Sequence, residues 1–586
     1  MRKLRSFLSF PGFEKWKPIL EQVLFSLAAA LLLFLPAFNK TLLNRGETVM
    51  VLNRIEAMAD AMQNHMPVHA PMSGMNFSYG YGSTLFESPL PYYVPAMLRR
   101  YGADLQISFL ICIFMIFACM VYASYGMART VLRKGRIAIW ITSLLASGSF
   151  CAYIMIFCDG DIADGAALCF VPMVIRSWYE MITSKGKGWV RLLYGTAMCF
   201  LCSAAYAIFL LILTLVFFLF HARYLYYHRL VLGYLCFSMV VFGLLTMWVW
   251  IPQLVLLSKG TFVLNHVNSL KVSGAGLQDL LDVIPYSSDH LGKTVGLVLL
   301  ILPAFLFRCK GRTRWKFARY SVILGYAALF MTTSMFPWSL VPFAPLLRDP
   351  SRLMPVASVL LSVGAGYVIA YYPFDPKDRP FIHRCIAGVS AVILLMMVNT
   401  RYFYIGEITR DYTVKQFSDD ALMIGNTDSF ENRSETGDGW YLPETEFNYR
   451  NKKREVTKDG KVLSYVETDG TLVTNAAGKG VYLFPKTWYP GHAVTVREGG
   501  KKNEVIETEQ DEATGLVRAK AEKDLSENAS IELSYEKPAV LRITETLSIL
   551  FWIAFGLSLI MVRGLRTASK LNSGKKKKAK AEQHTD

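Results

Sequence analysis

Charged residues are scarce in this chain: 18% of its 586 residues are Asp, Glu, Lys or Arg, and 53% are hydrophobic. A soluble protein of this size needs far more charge to cover its surface, so the composition excludes a soluble enzyme. Apolar runs of about 18 residues or more recur, and each is long enough to cross a hydrocarbon core about 30 Å thick. Because a segment in lipid must satisfy its own backbone hydrogen bonds, we expect α-helices.

Several chemical signatures are also lacking. No cysteine lies between residues 402 and 540, so no disulfide is predicted for that part of the chain. There is no P-loop, no Gly-x-Gly-x-x-Gly after a strand, no His-Glu-x-x-His and no Ser/His/Asp arrangement. A nucleotide site is therefore not predicted, and any chemistry is expected outside the membrane with a lipid-borne donor.

Positive charge is concentrated in short segments between apolar runs. Seven segments (1–17, 127–136, 184–191, 221–229, 308–319, 373–384 and 563–586) hold 31 of the 62 Lys and Arg but only 5 of the 45 acidic residues. Such a bias marks cytoplasmic loops. These segments thus carry +26 (31 − 5) of a chain whose net charge is +17, and this basic excess faces anionic lipid, so no nucleic acid is needed to explain it. Both termini are predicted to be cytoplasmic.

The pattern predicts an α-helical polytopic membrane protein with about 12 transmembrane helices. The run 190–220 is too long for one span and predicts two short helices that meet near 203–206. Arg176 and Glu180 are predicted to form an i,i+4 ion pair. The predicted organisation is eleven helices in 1–401 with a long first external loop (38–104), a small extracytoplasmic β-rich domain (402–541), a last helix (542–563) and a basic cytoplasmic tail (564–586).

Two groups of acids are candidates for chemistry. Glu47 follows the first helix closely and is a candidate general base or cation ligand; the alternative is a solvated loop carboxylate. Asp159, Asp161 and Asp164 lie within six residues of one external loop, and such a cluster can bind Ca²⁺, Mg²⁺ or Mn²⁺. The alternative for one of the three is helix capping by Asp164.

Arginines and tyrosines form the other candidate groups. Arg348 and Arg352 lie on the predicted outer side, where an arginine can hold a phosphate in bidentate fashion. The alternative is an ion pair with Asp349 or a lipid-headgroup anchor. The tyrosines of 79–93 predict an interfacial anchor or, alternatively, part of a site at the membrane surface; the candidates are Tyr81, Tyr92 and Tyr93.

These motifs resemble the YfhO-like bacterial membrane proteins and the related family named after 6-pyruvoyl-tetrahydropterin synthase. The likeness covers most of the chain in order, through short motifs: Gly46-Glu47, Arg54-Ile55, Gly80-Tyr81-Gly82, Ser88 to Tyr93, Arg348 to Arg352, Phe484-Pro485, Tyr489 to Gly491 and Ile531 to Tyr535. Two positions depart from the family pattern: Glu47 stands where an Asp is expected, and Val51 where a His is often found.

The resemblance implies a class C glycosyltransferase-like (GT-C) fold in a bacterial plasma membrane. It further implies transfer of a sugar from a polyprenyl-phosphate donor to an extracytoplasmic glycopolymer or glycolipid. Glu47 would be catalytic, Arg352 with Arg54 or Arg348 would hold the lipid phosphate, and the three aspartates would hold a divalent cation such as Mg²⁺ or Mn²⁺. A non-catalytic cell-envelope scaffold and a lipid or polysaccharide flippase remain the alternatives.

Overall fold

A computed structural model describes most of the chain, and the described part is mainly helical. It covers residues 13–35, 48–64, 70–73, 75–133, 135–262, 275–281, 293–338, 350–372, 442–445, 452–468, 470–476, 478–498, 501–526 and 529–582, with a few single positions between them. Glu47, Arg348, Asp349 and nearly all of the helix predicted at 382–401 lie outside these residues.

Thirteen helices are numbered here in chain order. They are α1 Phe13–Phe34, α2 Thr48–Gln63, α3 Leu90–Arg100, α4 Leu105–Leu132, α5 Arg136–Ser147, α6 Ile162–Leu168, α7 Val171–Thr183, α8 Trp189–Cys202, α9 Ala204–Phe220, α10 Arg229–Lys259, α11 Thr313–Met331, α12 Met354–Tyr371 and α13 Ala539–Glu582. Shorter helical segments are Ser83–Phe86, Phe150–Tyr153, Ile154–Cys158 (π), Ala222–Tyr227, Leu277–Leu281, Leu297–Ile301, and the 3₁₀ turns Leu302–Arg308 and Pro350–Leu353.

Five helices of the described part are long and apolar enough to cross a membrane, and a sixth span results if the bent pair Arg136–Ser147 and Phe150–Cys158 counts as one. Three further apolar helices (Trp189–Cys202, Ala204–Phe220 and Leu297–Arg308) are shorter. The predicted count of about twelve is therefore not confirmed. The predicted break in 190–220 is confirmed, because Ser203 lies between α8 and α9 in an extended conformation.

The helix α12 is the centre of the helical part, since every residue of its apolar window is buried. Small residues let its neighbours come close. A Cβ on Gly364 would lie 2.1 Å from Val322 Cγ2 of α11, and one on Gly366 would lie 1.9 Å from Thr142 Oγ1 of α5. The 3₁₀ turn that carries Arg352 leads directly into α12, so this arginine lies next to the candidate span whose apolar window is buried throughout.

The predicted β-rich domain is confirmed as one antiparallel sheet. Its strands are β1 Val456–Lys458, β2 Lys461–Leu463, β3 Tyr465–Thr468, β4 Thr471–Ala476, β5 Gly480–Thr487, β6 His492–Glu498, β7 Lys501–Gln510, β8 Leu516–Ala521 and β9 Ala529–Tyr535, in the order β2-β1-β5-β8-β7-β6-β9-β4-β3. The following helix α13 begins at Ala539 and continues to Glu582, through the Lys-rich segment predicted as a tail; Lys and Ala are good helix formers.

Segments that the charge pattern assigned to the outside contact one another. The sheet touches the first external loop through a hydrogen bond from Thr487 N to Tyr79 O, 2.7 Å long. It touches the end of α10 through Gln510, whose side-chain oxygen accepts from Thr261 N at 3.1 Å. Which side of the membrane these contacts face stays a prediction, because no membrane is part of the structure.

Candidate functional site

A cavity of about 300 Å³ lies where the first external loop meets the helical part. This volume is at the lower end of the range for small-molecule sites. Its polar lining comes from six separate stretches of the chain and consists of Arg54, Glu87, Ser88, Tyr92, Asp161, Asp164, Ser203, Gln253 and Arg352. Four of the predicted site residues, Arg54, Asp161, Asp164 and Arg352, are thus brought together with Tyr92.

The rest of the lining is largely apolar. It comes from α9, with Ala204, Ala205 and Ile208, and from α10, with Val249, Trp250 and Leu257. The helix α10 is one of the candidate spans. The cavity therefore offers charged groups and an apolar helix face to the same ligand, which suits an amphiphile better than a free sugar.

Arg54 lies on α2 and is buried, with 5% of its surface exposed. Its Nη1 donates to Glu87 Oε2 and to the Tyr92 hydroxyl, each over 3.0 Å. Its guanidinium also lies 5.8 Å from the centre of the Tyr92 ring, within the range of a cation–π contact. The carboxylate and the ring hold the guanidinium in one place at the edge of the cavity.

Arg352 pairs with two of the predicted aspartates. Its Nη1 lies 2.7 Å from Asp164 Oδ2, and its Nη2 lies 3.7 Å from Asp161 Oδ2. Asp164 and Asp161 are nearly inaccessible, with side chains 3% and 7% exposed. A buried carboxylate is costly unless it is paired, and Arg352 supplies that partner for both acids.

The residue that caps the N-terminus of α6 is Asp161. The alternative offered by the sequence, capping by Asp164, is therefore wrong. Asp161 is the N-cap of α6, and its Oδ1 accepts a hydrogen bond from Asp164 N at 2.9 Å. This is the usual geometry, in which the cap oxygen accepts from the third residue of the helix. One oxygen of Asp161 thus holds the helix start, while the other faces Arg352.

The aspartate loop also contacts the start of α2. Gly160 has a φ of 70°, and a Cβ there would lie 2.3 Å from Thr48 Oγ1 and 3.0 Å from Thr48 Cα. Only glycine fits this left-handed position and this close approach. Thr48 is the residue that follows Glu47 in the sequence. Gly160 therefore fixes the distance between α2, which carries Arg54, and the loop that carries Asp161.

Other predicted site residues lie elsewhere. Asp159 ends the π-turn Ile154–Cys158 and does not line the cavity. Tyr81 is fully buried, and its backbone pairs with Met72, so it is neither an interfacial anchor nor a cavity residue. Tyr93 is half-buried on α3, and burial raises the pKa of its hydroxyl, with the Glu545 carboxylate adding to the effect.

A metal site at the three aspartates finds no support in the geometry. Within the described residues, no three His, Cys, Asp or Glu side chains gather in a way that could hold a metal ion. Arg352 stands between Asp161 and Asp164 and already supplies the positive charge that a cation would bring. The cation stays a prediction, and the function proposed below does not use it.

Among the described residues, Glu87 is the one acid lining this cavity that the sequence analysis did not predict. It pairs with Arg54 and lines the cavity, and its side chain is 31% exposed, far more than Asp161 or Asp164. The sequence did contain a signal, because Glu87 is the only acid in the motif 79–93. Its partner is 33 residues away in the chain, and only the fold shows that the two meet.

The β-domain holds the loop that leads to Glu87. The Tyr489 hydroxyl accepts a hydrogen bond from Gly82 N at 2.9 Å, and Lys486 Nζ donates to Ser78 O at 3.0 Å. Asn76 Nδ2 donates to Thr487 Oγ1 at 3.3 Å. These bonds span about 400 residues of sequence and fix residues 76–82 against the end of β5 and the turn that follows it.

Lys486 is buried and pairs with Glu467. Its Nζ lies 2.6 Å from Glu467 Oε1, and Arg454 Nη2 lies 2.5 Å from the other carboxylate oxygen. Burial lowers the pKa of Lys486 although Glu467 opposes the shift. Burial alone would raise the pKa of Glu467, but Lys486 and Arg454 outweigh it and leave the pKa below its usual range. Glu467 of β3, Lys486 of β5 and Arg454, which precedes β1, form this group of charges. It lies beside the contact between Lys486 and Ser78 of the first external loop.

The stability of the β-domain is expected to depend on pH, because the imidazole of His492 is buried. Its Nδ1 lies 3.2 Å from Tyr489 N and 3.1 Å from Tyr489 O, and burial of the ring lowers its pKa from 6.5 to about 4. Between pH 6.5 and about pH 4, His492 binds a proton in the unfolded chain but not in the folded chain. Stability is therefore full above pH 6.5 and falls as the pH drops toward 4. We expect the melting temperature to fall over this window, and His492→Gln to flatten the fall.

The check on His492 is a pair of melting curves, wild type and His492→Gln, recorded at matched pH values from 7.5 to 4.5. Glutamine keeps an acceptor for Tyr489 N but does not titrate. Because all carboxylates titrate alike in both proteins, the difference between the two curves isolates the histidine. Parallel curves over the whole range would contradict the prediction.

A scan against models of known protein families finds no matching family, and a search of characterised proteins finds no significant match. The resemblance to the YfhO-like proteins rests on the sequence motifs alone and stays a prediction.

Proposed function

We propose that this chain is a membrane glycosyltransferase of the class C type. It transfers a sugar from a polyprenyl-phosphate donor to an extracytoplasmic cell-envelope glycopolymer or glycolipid. The observation that carries the proposal is the convergence of Arg54 and Arg352 with three carboxylates, Glu87, Asp161 and Asp164, in one cavity walled by a candidate span.

The chemistry needs both kinds of group. The acceptor hydroxyl loses its proton to a carboxylate as its oxygen forms a bond to the anomeric carbon. The bond from that carbon to the phosphate oxygen breaks, and the electron pair leaves with the phosphate. A guanidinium placed at the phosphate stabilises the charge that builds up there. Arg54 and Arg352 are the candidates for that role, since both line the cavity.

Two acids are candidates for the base. Glu47 is the residue that the family resemblance implies. Glu87 is the second candidate, because it is the most exposed of the three cavity acids that form ion pairs. Asp161 and Asp164 are less suited, because Asp161 caps α6 and Asp164 pairs with Arg352 at 2.7 Å. They serve instead to position Arg352.

A non-catalytic scaffold is the second candidate function. It is favoured by the fact that Arg54 and Arg352 each already pair with a carboxylate, as structural arginines do. A scaffold would need these pairs only for stability. A lipid or polysaccharide flippase remains the third candidate and would bind the donor lipid without releasing its sugar.

The test is sugar release from the donor. Purified protein is incubated with radiolabelled undecaprenyl-phosphate sugars, with and without Mg²⁺ or Mn²⁺, beside Glu47→Gln and Glu87→Gln. Removal of a general base lowers the rate about 10²–10⁴-fold, and we expect this loss in one of the two variants. The matched control is Glu522→Gln, an exposed acid of the β-domain that should keep full activity.

The outcomes separate the candidates. Turnover lost in one glutamine variant and kept in the control supports the enzyme and identifies its acid. Turnover that survives in both variants keeps the enzyme and contradicts the assignment of the base. Absence of turnover with every donor, in a protein that still binds the lipid, favours the flippase or the scaffold.

A further inference from the structure

A second and larger cavity, of about 1190 Å³, lies away from the candidate site and shares no lining residue with it. Its walls come from α1, α4, α7, α11 and α12 and from the turns that join them. The lining stretches 126–133, 176–187 and 312–314 overlap three of the basic segments that the charge pattern assigns to the cytoplasm.

The lining of this cavity is strongly cationic. Six of its residues are Arg or Lys, whereas Glu180 is the one acid among the described residues that line it. Glu180 is itself shared, because Arg176 Nε lies 3.0 Å from its Oε1 and Arg191 binds its other oxygen. The six cations are Arg129, Arg133, Arg176, Lys187, Arg312 and Arg314.

Arg314 is positioned by neutral groups. Arg314 is half-buried, and it donates to the Tyr179 hydroxyl at 3.3 Å and to the Tyr371 hydroxyl at 3.5 Å. Tyr371 in turn donates to Leu132 O. These hydroxyls orient the guanidinium without neutralising it, so its charge remains available to a ligand.

Arg176 is placed by a close approach between helices. A Cβ on Gly126 of α4 would lie only 3.0 Å from Arg176 Nη1 and 3.4 Å from Gln22 Nε2. Because position 126 has no side chain, the guanidinium can lie against α4 and face the cavity. At the rim, Arg129, Arg133, Lys187 and Arg312 are exposed.

The ordinary explanation for this charge is the orientation signal of a membrane protein, which needs only that the cations lie in cytoplasmic loops. The orientation signal does not need the cations to surround one cavity. Nor does it explain why Arg176 of α7 and Arg314 of α11 are half-buried. Six like charges with one carboxylate repel one another, and a bound anion relieves that repulsion.

We propose that this cavity binds a phosphate-bearing anion. A di- or polyphosphate group fits the fork geometry of several guanidiniums, which bind phosphate oxygens in bidentate fashion. The phosphate is that of a soluble diphosphate or that of an anionic lipid headgroup, since both carry the same chemistry. The volume exceeds that of most small-molecule pockets, so the anion can carry a further group.

The experiment measures binding and not transfer, so its result is independent of the glycosyltransferase proposal. The protein is placed in nanodiscs of phosphatidylcholine, and binding of inorganic pyrophosphate is followed by calorimetry. In a second arm, the nanodiscs contain phosphatidylglycerol, and native mass spectrometry reports which lipid stays bound. The variant is Arg133→Gln/Arg312→Gln, whose side chains form no ion pair within the described residues. The control is Arg223→Gln, an exposed arginine of a neighbouring basic segment outside the cavity.

We expect the double variant to weaken binding about tenfold for each arginine removed, while the melting temperature stays unchanged. Pyrophosphate binding lost in the double variant identifies a soluble phosphate. Selective retention of phosphatidylglycerol, lost in the double variant, identifies a headgroup. Failure of both arms, or an equal loss in Arg223→Gln, overturns the proposal, because the charge then acts only as a general surface property.

Discussion

Arg352→Leu is expected to destabilise the protein by about 3–5 kcal/mol, the cost of leaving a buried charge without its partner. The substitution removes the cation that Asp164 and Asp161 face at 2.7 and 3.7 Å. Both acids are almost inaccessible to water, so solvent cannot replace the guanidinium. Arg352 also precedes the fully buried α12, and a disturbed turn there reaches the helical core. The measurement is thermal unfolding of the purified protein.

The controls for Arg352 separate pairing from packing. Arg352→Lys keeps the charge but not the fork that reaches two carboxylates, so an intermediate loss is expected. Arg497→Leu removes an arginine from an exposed pair with Glu532, where a loss of no more than about 1 kcal/mol is expected. The double variant Arg352→Leu/Asp164→Leu should lose less stability than the sum of the losses in the two single variants. Equal losses for Arg352→Leu and Arg497→Leu would contradict the buried ion pair.

Gly82→Ala is expected to weaken the contact between the β-domain and the first external loop. A Cβ at this position would lie 2.5, 2.7 and 2.9 Å from three atoms of the Tyr489 ring. The ring cannot easily retreat, because it is fully buried and stacks on Phe262 with a centroid distance of 5.9 Å. Gly82 has a φ of −90°, so alanine is allowed by the backbone and the clash alone is tested. Overpacking of this kind costs about 1–3 kcal/mol.

The readouts for Gly82→Ala are thermal unfolding and limited proteolysis of the β-domain. Gly243→Ala is the control, because a Cβ there meets nothing within 4 Å in the interior of α10, and alanine is the better helix former. Adding Tyr489→Leu to Gly82→Ala should restore part of the stability, since the smaller side chain makes room. If Gly82→Ala unfolds and is cleaved like Gly243→Ala, the close contact between Gly82 and the Tyr489 ring is contradicted.

Features that depend on neighbours in the sequence were predictable. The long apolar helices, the break at Ser203 and the pair Arg176–Glu180 all follow from composition or from helical spacing, and the structure confirms them. The β-domain could likewise be predicted from its polar composition and its strand-like runs. In each case the sequence pattern that carries the prediction lies within one helix, one strand or one short segment.

The N-cap of α6 and the end of α13 were harder to predict from the sequence. Three aspartates in six residues leave several choices for the N-cap, and the structure selects Asp161, because its side chain is the one placed to accept from the third residue of α6. The Lys-rich end was predicted as a tail but continues α13. Lys and Ala are good helix formers, so this composition is compatible with an extended helix as well as with a tail.

By itself the sequence determined the chemical character of the protein: apolar helices with little charge, a basic side, and arginines and acids at helix ends. Only the tertiary structure decided which of them meet. Arg54 with Glu87, and Arg352 with Asp161 and Asp164, are joined by helix packing across up to 188 residues of chain. The physical reason is that burial forces charges into pairs, whereas the choice of partner depends on the close approach of elements that glycines such as Gly160 permit.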